Sequence, residues 1–381
     1  VAALQTYQQA VQSAAGQVQQ KLLADEAFYQ NAPLLDGDWP PAWKHGWIYD
    51  LETIRMTIRQ PVGIYQNHWD VMQIHTPRSV LGEAALDSLC LSYADMALAK
   101  EVMVGTFADA PMPNVPCSRE DGSMNMISEN GSECGTGPNW GFPFFVIQSL
   151  LLRQPDDDWL RQLYPYLETF LEWWMVNRTD AAGWFHADCS WESGQDGSSR
   201  FLVSSDTPDP STIDVRTVDI EASVAHAMQT MAAYAHRLGL LEREAYWQKL
   251  ADDRLERVRS MYVDGWFRDF DARTGEPILL DNYFDVMMLS PVMLGLAAPA
   301  QIDGIKDKFQ HFRDNPRHWL EWPSFIFPYT EAAWNSGLRL DGAEVVAATA
   351  DRIYARTDAR QHRQITGLHA NRLPPQYCYR I

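Results

Sequence analysis

The run WESGQDGSSRF, residues 191–201, places two carboxyl groups, Glu192 and Asp196, in one short segment with Arg200 and beside Trp191. Gly194, Gly197 and the interspersed serines argue against a regular helix, so the segment reads as an irregular loop. Cleaving a glycosidic bond needs a carboxyl group to protonate the leaving oxygen, and an indole offers a flat apolar face to a sugar ring. The same residues also fit a solvated polar loop carrying an Arg–Glu pair, since short motifs recur by chance.

Helices must position this loop. Apolar residues recur at helical spacing over residues 4–29, 50–59, 79–107, 142–153 and 158–177. Residues 217–238 and 242–261 form a helical hairpin joined at Gly239, and 329–337 with 343–356 form another near Asp341 and Gly342. About ten to twelve helices paired by short loops, with longer Gly/Pro-rich excursions between pairs, are what a ring of stacked hairpins looks like in sequence. Strand signals are few, and no linker divides the chain, so residues 1–381 read as one domain. Residues 105–141 are the longest polar, Gly/Pro/Ser-rich stretch.

The loop resembles the WESGxDxSxR signature of glycoside hydrolase family 63, which includes mannosylglycerate and glucosylglycerate hydrolases and α-glucosidases. It is similar, more distantly, to the ESGWDxSxR segment of the family 37 trehalases. Both families imply an all-α fold, the (α/α)6 toroid of six helical hairpins, and hydrolysis with inversion of the anomeric centre. By this resemblance Asp196 is the general acid, and Trp191, Glu192, Gly194 and Arg200 shape the subsite around it. QNHWDVMQIH, residues 66–75, resembles the family's early WDxxF segment and carries over Trp69 and Asp70 to the sugar subsite. Asp70 and Asp196 should then lie within about 15 Å of each other, the reach of one sugar-sized pocket at an end of the ring. Without the family, Asp70 reads as a helix-capping residue beside a core tryptophan.

Further blocks extend the resemblance from about residue 49 to the end. GTGPNWGFPFF, residues 135–145, resembles a loop that feeds a buried helix, which turns Asn139 and Trp140 towards the pocket. Residues 216–277 are similar to a family block of VDLNA, a hairpin, and a Gly- and Asp-rich turn; Asp219 takes the place of the family Asp, and Glu221 stands where Asn is usual. LEWPSFIFPYTEAAWNSGLRLDGAEVVA, residues 320–347, resembles the WRGPVWxxxNW…GLxxYG block in degraded form: Trp322 and Pro323 fit loosely, and the Arg and Gly are absent.

The main departure concerns the second carboxylate. An inverting enzyme activates water with a base about 6.5–9.5 Å from the acid. The family places a Glu in a C-terminal stretch that corresponds here to GLHANRLPPQYCYRI, residues 367–381, where Ala370 occupies the Glu position between His369 and Asn371. An engineered exchange, a different base and a non-catalytic protein all account for Ala370. Glu331 is preferred to Glu321 as a replacement base, though Glu331 equally suits a first-turn carboxylate stabilising its helix. His369 is a further candidate, since imidazole titrates near neutral pH.

Bulk properties narrow the classes. A net charge of -19 argues against nucleic acid and anionic membranes, which require clustered Lys and Arg. No apolar run approaches the length of a bilayer span. The N-terminus lacks a basic region and reads as a mature helix, and a start at Val1 suggests a processed or trimmed chain. The expected partner is a small carbohydrate. Oligomeric state and compartment stay open. Fifteen tryptophans exceed what a core absorbs easily, because each indole N–H needs an acceptor, so some rings should line grooves. Cys90, Cys117, Cys134, Cys189 and Cys378 show no metal-binding spacing, so no metal or other cofactor is expected; Cys90 reads as a core residue, and Cys117 could pair with Cys134. The leading expectation is an inverting α-glycosidase acting on a small glucoside or mannoside. A sugar-binding pseudoenzyme and another six-hairpin enzyme, an epimerase or lyase, are the alternatives.

Overall fold

The computed structural model describes residues 2–72, 76–124, 126, 134–195, 198–201, 212, 214–279, 285–314 and 326–354. Twelve helices are present among them: α1 (Ala2–Asn31), α2 (Pro41–Thr57), α3 (Leu81–Leu91), α4 (Met96–Ala108), α5 (Pro143–Arg153), α6 (Asp157–Asn177), α7 (Val218–Leu238), α8 (Leu241–Ser260), α9 (Ser290–Met293), α10 (Pro299–Asp314), α11 (Ile326–Asn335) and α12 (Arg339–Tyr354). The strands are two-residue pieces in three small antiparallel sheets.

The burial of each helix follows from its sequence. Helix α7, rich in Ala and Met, is buried on nearly every side, whereas α8, dense in Glu, Arg and Asp, buries only Trp247, Ala251 and Val258. An apolar helix followed by an amphipathic one is the inner-then-outer order of a double ring. Gly239, at φ 73, ends α7 in the left-handed region that the tight turn into α8 requires. Contacts run from α2 to α3, α5, α7, α9 and α11, and α12 packs back on α2 to close the ring. The fold is the expected (α/α)6 toroid.

The core divides along α7. Ile220, Val224, Ala227, Met228 and Met231 pack with α3 to α6, while Val218, Ala222 and Ala225 pack with the C-terminal half of the chain. On α6, Leu160, Leu163, Leu167, Phe170, Leu171 and Trp174 follow helical spacing and are buried. Asp156 caps that helix, its side chain accepting from the Trp159 N–H at 3.0 Å.

Three expectations change. The single pattern over residues 79–107 is two helices, α3 and α4, because the Asp95 carboxylate accepts from the Leu98 N–H and starts a new helix. Helix α2 begins at Pro41, earlier than the expected Asp50, since proline is preset for a first turn. The disulfide joins Cys134 to Cys189 rather than to Cys117. Cysteine spacing cannot set connectivity; ring closure brings residues 55 positions apart into contact. Cys90 is half-buried and packs with Ile54, Leu91 and Ala99.

Candidate active site

The WESG segment forms a 3-10 turn, Ser190–Ser193, ended by Gly194 at φ 74. Gly194 is required for two reasons. Its backbone is left-handed, and a Cβ there would lie 2.4 Å from the Trp140 ring. The same indole also presses on Gly82, where a Cβ would approach to 2.4 Å. Trp140 is thus wedged between α3 and the motif turn, half-buried, and its expected place near the motif is a packed one.

Glu192 is fully buried. Its Oε1 accepts from Arg178 Nη2 at 2.7 Å and from the Gly135 N–H at 3.0 Å. Its Oε2 accepts from Arg178 Nε at 2.9 Å and from the Asp188 N–H at 2.7 Å. The Glu192 carbonyl takes the Gly137 N–H at 2.6 Å. This carboxylate is therefore saturated by donors from three segments. The disulfide between Cys134 and Cys189 fastens two of those segments together beside it.

Arg200 is the centre of a second buried network. Its Nη2 donates to Asp219 and to Asp269, each at 2.8 Å, and its Nε donates to Asp269 at 2.9 Å. Asp269 also accepts the Val218 N–H at 2.9 Å, and Asp219 accepts from Asn139 Nδ2 at 2.6 Å. Gln195 accepts from Arg200 and donates to Asp285 at 2.9 Å, so it joins the guanidinium to a third carboxyl group. Asp285 lies 3.8 Å from Arg200. Burial pushes its carboxyl up from the usual range, although Arg200, the Met287 N–H and Gln195 oppose that shift. Arg200 and Glu192, expected to shape a subsite, are both anchors of the turn in this structure.

Trp191 keeps partial exposure on the same turn. Trp69 is 1% exposed and stacks on Tyr65 with ring centroids 4.1 Å apart, so that face is closed to a sugar. Asp70 is fully buried on the strand it shares with Trp69.

A second cluster is aromatic. Phe145 of α5 meets Phe327 of α11 with centroids 5.6 Å apart, and His226 of α7 at 6.3 Å. Burial drives the His226 imidazole down to about 4, so it is neutral across the physiological range. Glu331 follows Phe327 by one helical turn and thus shares its face. It is half-buried, has no hydrogen-bond partner among the described residues, and is pushed up by burial alone. Elsewhere on α7, Glu221 accepts the Phe185 N–H at 2.6 Å; burial raises it to about 7 despite Arg254 at 3.6 Å.

Asp196, Glu321, Trp322, His369 and Ala370 lie outside the described residues. Sequence reasoning passed over Arg178, Gln195, Asp269 and Asp285. Asp269 sits in the Asp-rich turn that resembles the family, a usable signal; Arg178 carries none. No group of His, Cys, Asp and Glu suited to a metal occurs among the described residues, and no helix among them is long and apolar enough to cross a membrane.

Comparison with known proteins places these features. Residues 145–324 match the family model of the mannosylglycerate hydrolase MGH1-like glycoside hydrolase domain. That stretch holds Arg178, Glu192, Arg200, Asp219, Asp269 and Asp285, while Asp70 and Glu331 fall outside it. No curated protein sequence matches the chain. Among solved structures, a GH63 mannosylglycerate hydrolase from Thermus thermophilus in complex with glucose superposes with a TM-score of 0.59 at 17% identity, over 78% of this chain and 89% of that one. The same enzyme in complex with Tris and D-glycerate gives 0.59 at 15% identity, over 80% and 90%. Neutral trehalase Nth1 from Saccharomyces cerevisiae gives 0.51 at 12% identity, over 72% and 64%. These likenesses show the toroid, and residues 145–324 are similar to a mannosylglycerate hydrolase MGH1-like glycoside hydrolase domain.

Proposed function

We propose that the chain is an inverting α-glycosidase acting on a small α-glucoside or α-mannoside, with Asp196 as its general acid. One observation carries the assignment of the acid. Of the two carboxyl groups in the motif, Glu192 has both oxygens engaged by Arg178 and by backbone N–H groups. Proton transfer to a leaving oxygen needs a carboxyl that is free to hold and release a proton, and the motif leaves that task to Asp196. The substrate class follows the neighbouring hydrolase seen with glucose and with D-glycerate. Phe145, Phe327 and Trp191 offer the apolar faces that sugar rings pack on.

The base in this reading is Glu331. Burial raises it towards working pH, which suits a group that takes a proton from water. A second reading rests on Ala370: with an alanine at the family's Glu position, the chain binds sugar without cleaving it.

One experiment separates the readings. Turnover of α-glucosides and α-mannosides is followed by NMR, reading the first-formed anomer. The proposal expects a β-anomer and a loss of about 10²–10⁴-fold in kcat for both Asp196→Asn and Glu331→Gln. Full turnover by Asp196→Asn removes the acid assignment. Sugar binding without turnover, converted to hydrolysis by Ala370→Glu, establishes the second reading.

A further inference from the structure

Helix α1 is anchored at one end and bare along the rest of its length. Its last turns meet the ring: Arg55 pairs with Asp25, and Phe28 packs with Ile54, Leu91 and Ala99. Ala24, Ala27, Phe28 and Asn31 line a groove of about 630 Å³ against α2, α3 and α4. Every residue from 4 to 24 is exposed. At 1.5 Å per residue this arm is roughly 30 Å long. An isolated helix in water is marginal, and most helical stability in proteins comes from packing an apolar face.

That face exists. Leu4, Tyr7, Val11, Val18 and Leu22 are 61%, 66%, 57%, 60% and 57% exposed. With Ala14 and Ala15 between them, they follow a 3-4 spacing and form one narrow stripe. At 100° per residue the stripe runs along the same side of the helix as Asp25 and Tyr29, whose side chains meet Arg55 and Glu52 of α2. Ahead of those contacts no described residue covers the stripe. Its other side is mainly Gln, and residues 2–20 contain no Asp, Glu, Lys or Arg.

We propose that α1 is a dimerisation arm whose apolar stripe packs against the same stripe of a second copy, antiparallel. Charge selects this occupant. The chain carries -19, so two bodies repel, and an uncharged arm is where two copies approach without that penalty. The antiparallel sense sets the bodies at opposite ends of the helix pair, Leu4 facing Leu22 of the other copy. A stripe that meets itself satisfies two-fold symmetry, the commonest form of oligomer. A membrane-surface helix would carry Lys and Arg along its polar face, and residues 2–20 have none.

Sedimentation equilibrium of the full chain tests the arm. The chain should be dimeric at micromolar concentration. Val11→Glu with Val18→Glu should weaken the dimer by at least about 100-fold while the thermal unfolding of the ring stays unchanged. Gln9→Glu with Gln20→Glu adds the same charge to the opposite face and should leave the dimer intact. A monomer at all concentrations overturns the proposal. So does a dimer indifferent to the stripe substitutions, or one lost equally with the Gln substitutions. Partition of the unaltered chain onto phosphatidylcholine or phosphatidylglycerol vesicles, abolished by the stripe substitutions, would assign the stripe to lipid instead.

Discussion

The motif turn and the inner face of α11 treat their carboxyl groups in opposite ways. Around residues 190–201, Glu192, Asp219 and Asp269 are fully buried, and each accepts from an arginine and from a further N–H donor. On α11, Glu331 is half-buried one helical turn from Phe327, with no hydrogen-bond partner among the described residues. A carboxylate saturated by donors holds geometry, and removing its partner exposes a buried charge. A desolvated, unsatisfied one costs little to remove and is free to exchange protons. A carboxyl-rich site is therefore read by counting donors around each carboxylate, not by counting carboxylates.

The contrast breaks most sharply at Arg200. Replacing it with Met leaves Asp219 and Asp269 buried without their countercharge, which should cost about 3–5 kcal/mol in urea unfolding. A loss under about 1 kcal/mol would mean that these carboxyl groups are not held by charge pairing at all. The double exchange Cys134→Ser with Cys189→Ser releases the two segments that feed Glu192. It should cost about 2–4 kcal/mol, read as a lower unfolding midpoint under non-reducing conditions, with reductant erasing the difference from the parent.

Glu221 sharpens the comparison through pH. Its folded pKa, about 7, lies above the 4.5 of the free side chain, so the native state holds a proton that the unfolded state has released. The contribution is fully present below 4.5 and is lost as pH rises to about 7. Unfolding at pH 4.5 and at pH 8 should show Glu221→Gln gaining up to about 3 kcal/mol relative to the parent at the higher pH, and little at the lower. A pH-independent difference would show that Arg254 and the Phe185 N–H hold this carboxylate ionised. The smallest effect belongs to Glu331→Gln, which has no partner to orphan and should change stability by less than about 0.5 kcal/mol. A large loss there would place Glu331 among the structural anchors and undo the contrast with Glu192.

Much of the ring was legible. The hairpin of α7 and α8 follows from its period and from Gly239, and the motif turn was visible from its glycines and carboxyl groups. The split between α3 and α4 was not, because one capping hydrogen bond from Asp95 decides it inside an otherwise continuous apolar pattern. At the motif, residue types indicated carboxyl chemistry, but the work of Glu192 and Arg200 as anchors was hidden. Their partners lie elsewhere in the chain: Arg200 meets Asp269 across 69 residues, and Glu192 takes the Gly135 N–H across 57.

By itself, then, the sequence determined the helical architecture and the glycosidase-like motif, because periodicity, caps and short signatures are properties of neighbouring residues. Which carboxyl groups are saturated, which cysteines join, and how little of α1 meets the ring were decided only by the tertiary structure. Hydrogen bonds and ion pairs act over a few ångströms, and only closure of the ring brings those distant groups within that range.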